Sequence, residues 1–343
     1  MVKINDVAAL AGVSPSAVSR VLSGDATLRV SDVTRERVIA AARQLDYVPN
    51  HAGRSLRTSR SSTIALVVPD VTSAVFAELA AGAEREAASR GLAIVLGRAE
   101  RVGDGDDWLR RMVGEARIDG VILQLPDGTP SLGTAPDALA SMIVGETPVV
   151  VINSVDSGPF STIVLDDAEG VRTAVEHLAS LGHSRIGLVG GLPNSATGRR
   201  RAAGFRAAMS DAGLGVHEEL NTALGYTGAD GRAAIELLLE RGPLPTALVV
   251  ANLNAALGVL AAIHAHELRV PADVSIVALH DVWYADATWP PITTVRMPLA
   301  ELGAEAVARV ADRSREIAHT TIASPPELVL RQSTAAPRPE SGG

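Results

Sequence analysis

Residues 4–22 read INDVAALAGVSPSAVSRVL. The stretch falls into two halves around Gly12. Ile4, Val7, Ala8, Leu10 and Ala11 recur at helical spacing, and Val18, Val21 and Leu22 give a second buried face. Ser14 is a good N-cap and Pro15 a favoured first helical residue. Two short helices about a glycine turn have the spacing of a helix-turn-helix, whose second helix enters a major groove with its N-terminal residues at base edges. Pro15, Ser16 and Arg20 fall on its outward face, where Arg20 can pair bidentately with guanine or clamp a phosphate. On spacing alone, an ordinary helical hairpin fits as well.

Working outward, Ser31 caps a third helix in which Val38, Ile39, Ala42 and Leu45 recur with a period near 3.6. Pro49-Asn50 ends this unit, and the basic stretch His51–Arg60 follows as a hinge. Leu56 stands there among Arg54, Arg57 and Arg60, which suits a minor-groove wedge flanked by phosphate-binding bases. A solvated linker with one stray leucine is the alternative. Residues 1–60 carry net charge +4, leaving −12 of the total −8 on the rest. A basic head on an acidic body suggests that the head meets a polyanion and the body does not.

Composition excludes several chemistries. With no cysteine, disulfide scaffolds, cysteine-ligated zinc, iron–sulfur clusters and thiol nucleophiles are ruled out. The single lysine, Lys3, leaves no interior Schiff-base lysine and no P-loop. The glycines of 187–198 lack a dinucleotide fingerprint, and His264 and His266 are too poorly spaced on a helix to share a metal. No cofactor and no metal are expected. The start lacks a secretory core, and the longest apolar run, Ala247–Ile263, is shorter than a membrane span and carries Asn252 and Asn254. A cytoplasmic protein without a membrane partner is expected.

From Thr63 onward, apolar runs alternate with amphipathic helices. The runs are 64–68, 93–96, 120–123, 149–152, 162–165, 186–189, 247–250 and 274–279. Continuous apolar strands between helices predict parallel sheets covered on both faces. So many strands predict two α/β subdomains. Asp70, Gln124, Asn153, Asp166, Asn252 and His280-Asp281 follow the ends of these strands. Ligands bind beyond the carboxyl ends of open parallel sheets, so these residues predict a polar cleft. Any strand must end in something polar, which is the plainer account of each one singly.

The residues taken together resemble the lactose/galactose-repressor family. Lys3–Leu22, Thr34–Val38, Tyr47-Val48-Pro49-Asn50 and Arg54-Ser55-Leu56 look like its DNA-binding head. Glu176-His177-Leu178, Leu181-Gly182-His183, Arg199–Phe205, Val270-Pro271, Pro291–Val295 and Leu328–Thr334 continue the match in order over almost the whole chain. The resemblance implies a ligand-responsive repressor of carbohydrate-related genes. Its fold would be an all-α helix-turn-helix head plus an α/β body of two Rossmann-like lobes of the periplasmic-binding-protein type. The implied boundaries are a head over 1–48, a hinge over 49–61, a first lobe over 62–156 plus 291–319, a second lobe over 157–290 plus 320–334, and a flexible tail over 335–343. Crossovers would fall near Ser154–Pro159, Tyr284–Pro290 and His319–Ser324.

The resemblance assigns Pro15, Ser16, Arg20, Asn50 and Leu56 to DNA, and Phe76, Gln124, Asn153, Arg199, Tyr226, Asn252 and His280 to the ligand. It implies double-stranded operator DNA, a small effector (sugar or sugar acid) and a second copy of the chain as partners. Some members add a C-terminal leucine coil to make tetramers; Ala335–Gly343 has no leucine, which points to a dimer on a near-palindrome. Six departures stand out. The family usually has Asp where Asn153 and His280 stand and where Leu253 follows Asn252, and Asn-Pro-Phe-Phe where Ser73-Ala74-Val75-Phe76 stands. Gly53 replaces a usual alanine in the hinge, and Lys3 a usual threonine cap. Lost carboxylates around Arg199 predict either an anionic effector, bound more tightly as His280 protonates, or a degenerate site. Asp166 or Asp281 would otherwise neutralise the arginine. A solute-binding protein shares such a body, but the basic head argues against it. An enzyme using His280-Asp281 lacks a nucleophile.

Overall fold

The computed structural model describes residues 2–23, 25, 27–47, 60–99, 108–126, 147–154, 160–313 and 316–338. The chain divides into two compact units, Met1–Ser61 and Ser62–Gly343.

The first unit contains helices α1 (Ile4–Ala11), α2 (Pro15–Leu22) and α3 (Asp32–Gln44). Gly12 ends α1 in the left-handed conformation, φ +64°, which a residue without Cβ adopts freely. The Ser14 hydroxyl accepts the Ala17 N–H at 3.2 Å and starts α2; Ser31 does the same for Thr34 at 3.3 Å in α3. Lys3 supplies no hydroxyl to α1. Instead Asp6 Oδ2 reaches back to the Lys3 N–H at 2.8 Å and satisfies one terminal donor. Val7, Ala8, Ala11, Val18, Val21, Val38, Ala41 and Ala42 close the core.

The second unit holds two sheets. Strands β1 (Thr63–Val68), β2 (Ala93–Arg98), β3 (Gly120–Leu123), β4 (Val149–Ile152) and β5 (Ser161–Val164) belong to the first. Helix α4 (Ala74–Ser89) and helix α5 (Trp108–Gly114) lie between its early strands. Then come α6 (Asp167–Ser180), β6 (Ile186–Val189), α7 (Ala196–Asp211), α8 (Gly228–Arg241), β7 (Ala247–Val250), α9 (Leu253–Ala265), β8 (Ser275–Leu279) and β9 (Thr293–Arg296). The chain closes with α10 (Leu299–Asp312), β10 (His319–Thr321) and β11 (Glu327–Val329). The first sheet has the order β10-β5-β4-β3-β1-β2 and is parallel throughout. The second has the order β11-β9-β8-β7-β6, parallel except for β11 on β9. The fully apolar strands β3, β4, β6 and β7 are buried at every position, as strands covered on both faces must be.

The pairing moves the expected lobe boundaries. Ser161–Val164 pairs with Val150–Ile152 in the first sheet, and Thr293–Arg296 pairs with β8 and β11 in the second. Helix α6 packs on the second sheet and α10 on the first. The chain therefore crosses near 165–166, 297–298 and 322–326, rather than near 154–159 and 284–290 as the first two expected crossovers had it. Those two polar stretches join neighbours within one lobe, and only strand hydrogen bonding distinguishes such a loop from a crossover. The tail also differs. Ala335 accepts from His183 Nε2 at 2.8 Å and exchanges hydrogen bonds with Ser275 Oγ, and Arg338 pairs with Asp273 at 2.6 Å, so residues 335–338 are tied to the second lobe.

Helices α4 and α10 cover the first sheet at close range. A Cβ on Gly82 would lie 2.0 Å from the Ala300 carbonyl oxygen, and one on Gly303 2.2 Å from that of Leu79. Glycine at these two positions brings the backbones together, and this contact fixes the lobe wall that carries Phe76 and Leu299.

Candidate functional site

In the first unit, Pro15 and Ser16 are exposed at the start of α2, while Val18 and Val21 on the opposite face are buried. Arg20 is half-exposed and anchored: its Nε donates to Asp25 Oδ2 at 2.7 Å and its NH2 to Thr27 Oγ1 at 3.0 Å. Asp25 also accepts the Thr27 hydroxyl at 2.6 Å and its N–H at 2.9 Å. The Thr27 hydroxyl, then the Arg20 guanidinium, hold the Asp25 carboxyl well below the usual carboxylate range. One edge of the Arg20 fork is therefore used internally, and its NH1–NH2 end keeps donors for a base or phosphate. Asn50, Gly53 and Leu56 lie outside the described residues.

In the second unit a cavity of about 200 Å³ opens between the lobes, beyond the carboxyl ends of the strands. Phe76, Gln124, Asn153, Tyr226, Asn252 and His280 all line it; Asp166 and Asp281, which also follow strand ends, are not among its lining residues. Arg199 does not. It is exposed and borders a separate cavity of about 350 Å³ together with Arg206 and Glu218. The arginine of the cleft is Arg201, two residues on and so on nearly the opposite face of α7. Thr197, Arg201 and Phe205 form an i, i+4, i+8 stripe; Thr197 and Arg201 line the cleft and Phe205 is buried in the core. That stripe was legible in the sequence and distinguishes Arg201 among three consecutive arginines. Asp70, Ser73 and Asn254 also line the cavity.

Arg201 is buried and well partnered. Its Nε donates to Asp167 Oδ1 at 2.9 Å, its NH1 to the Ala251 carbonyl, and its NH2 to His280 Nε2 at 2.9 Å. Its guanidinium lies 5.9 Å from the Tyr226 ring centroid, within range of a cation–π contact. Asp167 Oδ2 meanwhile takes Arg200 at 2.6 and 2.9 Å. Asp167 is thus the counter-charge, in place of the expected Asp166 or Asp281. Asp166 Oδ1 caps α6 by accepting from Glu169 N–H at 3.0 Å. Asp281 binds Thr294, Arg296 and Arg331 at 2.8, 2.6 and 2.7 Å; burial acts to raise its pKa, but these bonds outweigh it and hold the carboxyl low.

Burial first, then the Arg201 charge, push the His280 pKa well below the ordinary 6.5, which favours a neutral ring and opposes the expected acid-strengthened binding through it. Asn153 and His280, one on each lobe, both take left-handed backbone conformations, φ 57° and 69°. Such conformations in residues other than glycine cluster where function holds them. Asn153 Nδ2 donates to Gln124 Oε1 at 3.0 Å, and its carbonyl accepts from Thr197 Oγ1 at 3.4 Å and Arg200 NH2 at 3.3 Å across the cleft. Asn252 Oδ1 is spent capping α9 through Ala255 N–H at 2.8 Å. A second bridge links Ser73 of the first lobe to Asn254 at 3.2 Å, and Asn254 to Tyr284.

Two family descriptions match the chain: "Bacterial regulatory proteins, lacI family" over residues 3–50, and "Periplasmic binding protein-like domain" over residues 175–334. The HTH-type transcriptional regulator DegA of Bacillus subtilis is 32% identical over 97% of this chain and 98% of its own length. The chain belongs to the lacI family of bacterial regulatory proteins. Two solved transcription regulators share the fold. The lac repressor dimer bound to operator and the anti-inducer ONPF is 29% identical, with TM-score 0.78 over 98% of this chain and 99% of that one. The transcriptional regulator CelR in complex with cellobiose is 28% identical, with TM-score 0.70 over 97% of this chain and 100% of that one. As a lacI-family protein the chain is an effector-responsive, DNA-binding transcription regulator; its relatives are regulators, not enzymes. No helix among the described residues is long and apolar enough to cross a membrane.

Proposed function

We propose that this regulator acts in the cytoplasm as a repressor of carbohydrate-related genes, binding a near-palindromic operator as a homodimer. Pro15, Ser16 and Arg20 read base edges, while Asn50 and Leu56 engage the DNA beyond the helix-turn-helix. Leu257, Trp283 and Trp289 supply exposed apolar surface on the second lobe for the second copy; each tryptophan is 81% exposed. The effector occupies the cleft lined by Phe76, Gln124, Asn153, Tyr226, Asn252 and His280, with Arg201 in the place expected of Arg199.

The observation that carries this reading is the convergence of polar strand ends from both lobes on one cavity that direct interlobe hydrogen bonds also span. A ligand there changes the balance between Asn153 and the Arg200–Thr197 pair, or between Ser73 and Asn254. It thereby shifts the lobe angle without touching DNA, which is how differential contacts move a two-state equilibrium. The test is operator binding by fluorescence anisotropy with and without cleft ligands. A ligand that binds the body yet leaves operator affinity unchanged contradicts the coupling. A solute-binding protein without a DNA role would bind ligand and show no sequence-specific DNA affinity.

A further inference from the structure

His280 is 4% exposed, and its two ring nitrogens have different fates. Arginine is only a donor, so the 2.9 Å contact from Arg201 NH2 requires Nε2 to be the bare, accepting nitrogen. The neutral ring then carries its proton on Nδ1. That N–H is buried and has no partner among the described residues. Across the cleft, Asn153 spends Nδ2 on Gln124, and its Oδ1 is likewise buried without a partner among the described residues. Both residues line the cavity, one from each lobe, and an enclosed donor and an enclosed acceptor without partners each carry a desolvation cost that a hydrogen bond to a ligand would relieve.

We propose that His280 is a locked hydrogen-bond donor and Asn153 a locked acceptor. The effector is then a neutral molecule that offers an acceptor atom to His280 and a donor to Asn153. The ligand assignment rests on the effector-cleft reading; the tautomer does not. Arg201 is the positioning residue, acting through His280. Its own charge is already met by Asp167. The charged side chains that line the cavity among the described residues are Asp70, an acid, and Arg201, already paired with Asp167, so the lining offers an anion no free cation. The charged groups around the ring leave it neutral: Arg201 opposes a second proton, Asp281 is turned to Thr294, Arg296 and Arg331, and Asp70 lies on the first-lobe side of the cavity.

The first measurement is a long-range ¹H–¹⁵N correlation on the ¹⁵N-histidine-labelled full chain at pH 6 and 8, with His280 assigned from His280→Gln. A protonated Nδ1 and bare Nε2 at both pH values is expected; a protonated Nε2 or an imidazolium overturns the proposal. The second is thermal shift with cellobiose and cellobionate, D-ribose and ribose 5-phosphate, D-glucose and D-gluconate, and adenosine and its monophosphate. The neutral member of a pair is expected to stabilise more. Glutamine at 280 keeps an acceptor for Arg201 but places nothing at Nδ1, so its affinity for that probe should fall roughly tenfold. Stronger binding of an anion, or unchanged affinity in His280→Gln, overturns the proposal. The expected tautomer with no shift from any probe overturns instead the effector reading beneath it.

Discussion

Asp167 accepts the Nε of Arg201 at 2.9 Å with both side chains almost wholly buried, 1% and 5% exposed. The bond joins the first turn of α6 to α7 directly behind the cleft wall. Removing one partner of such a pair leaves an uncompensated buried charge. Asp167→Asn is therefore expected to destabilise the protein by about 3–5 kcal/mol, read by urea unfolding. A loss below about 0.5 kcal/mol, the scale of ordinary surface changes, would show that Arg200 and Arg201 are neutralised elsewhere.

Arg199 and Arg201 separate cleanly as a pair of variants. Arg199 is exposed and outside the cleft, so Arg199→Ala should leave effector affinity unchanged and shift stability by no more than about 0.5 kcal/mol. Arg201→Ala should impair both effector binding and folding, because Asp167, the Ala251 carbonyl and His280 all lose a donor. The reverse pattern in calorimetry and thermal unfolding would return the cleft role to Arg199.

These arginines show how far the sequence could be read. Apolar periodicity and the Gly12–Pro15 punctuation marked the head, and the polar residues after buried runs marked Asp70, Gln124, Asn153, Asn252 and His280 of the cleft, because both signals are local. Arg201 was missed although the Thr197–Arg201–Phe205 stripe marked its face, since the reading followed motif position instead of helical phase. Asp167 pairs with residues more than thirty positions away, and the crossovers depend on which strand Ser161–Val164 and Thr293–Arg296 join. Neither relationship has a local signature. His280 looked like a pH-responsive ligand because sequence shows residue type, whereas burial and the Arg201 contact decide protonation.

In the head, Arg20→Ala is expected to weaken specific operator binding by about 1–3 kcal/mol while sparing non-specific binding. Asp25→Asn should weaken specific binding less, because it removes the charge that orients Arg20 but leaves the guanidinium in place. Anisotropy on operator and scrambled duplexes checks both. Equal loss on both duplexes in Arg20→Ala would make it a phosphate clamp.

Stability should fall on mild acidification. Burial lowers the pKa of His177, His183 and His280 below 6.5, with further lowering of His177 by His183 and of His280 by Arg201. Each is depressed in the folded state, so below about 6.5 the unfolded chain binds protons that the folded chain does not. The contribution is fully present above that pH and is lost as pH falls toward the folded values. Melting temperature should drop between pH 7.5 and 5.5, and drop less in His183→Gln. A flat profile over that window would mean that these rings titrate normally.

Control of a sequence-reading head by an effector-gated body can be measured by selecting a pool of randomised duplexes with the full chain, then titrating the enriched sequence by fluorescence anisotropy over a range of salt, with and without a cleft ligand. The expected result is enrichment of a near-palindrome bound by two chains, a linear fall of log affinity with log salt, and a change in operator affinity when the ligand binds. A pool without enrichment, or an operator affinity that no bound ligand alters, would contradict it.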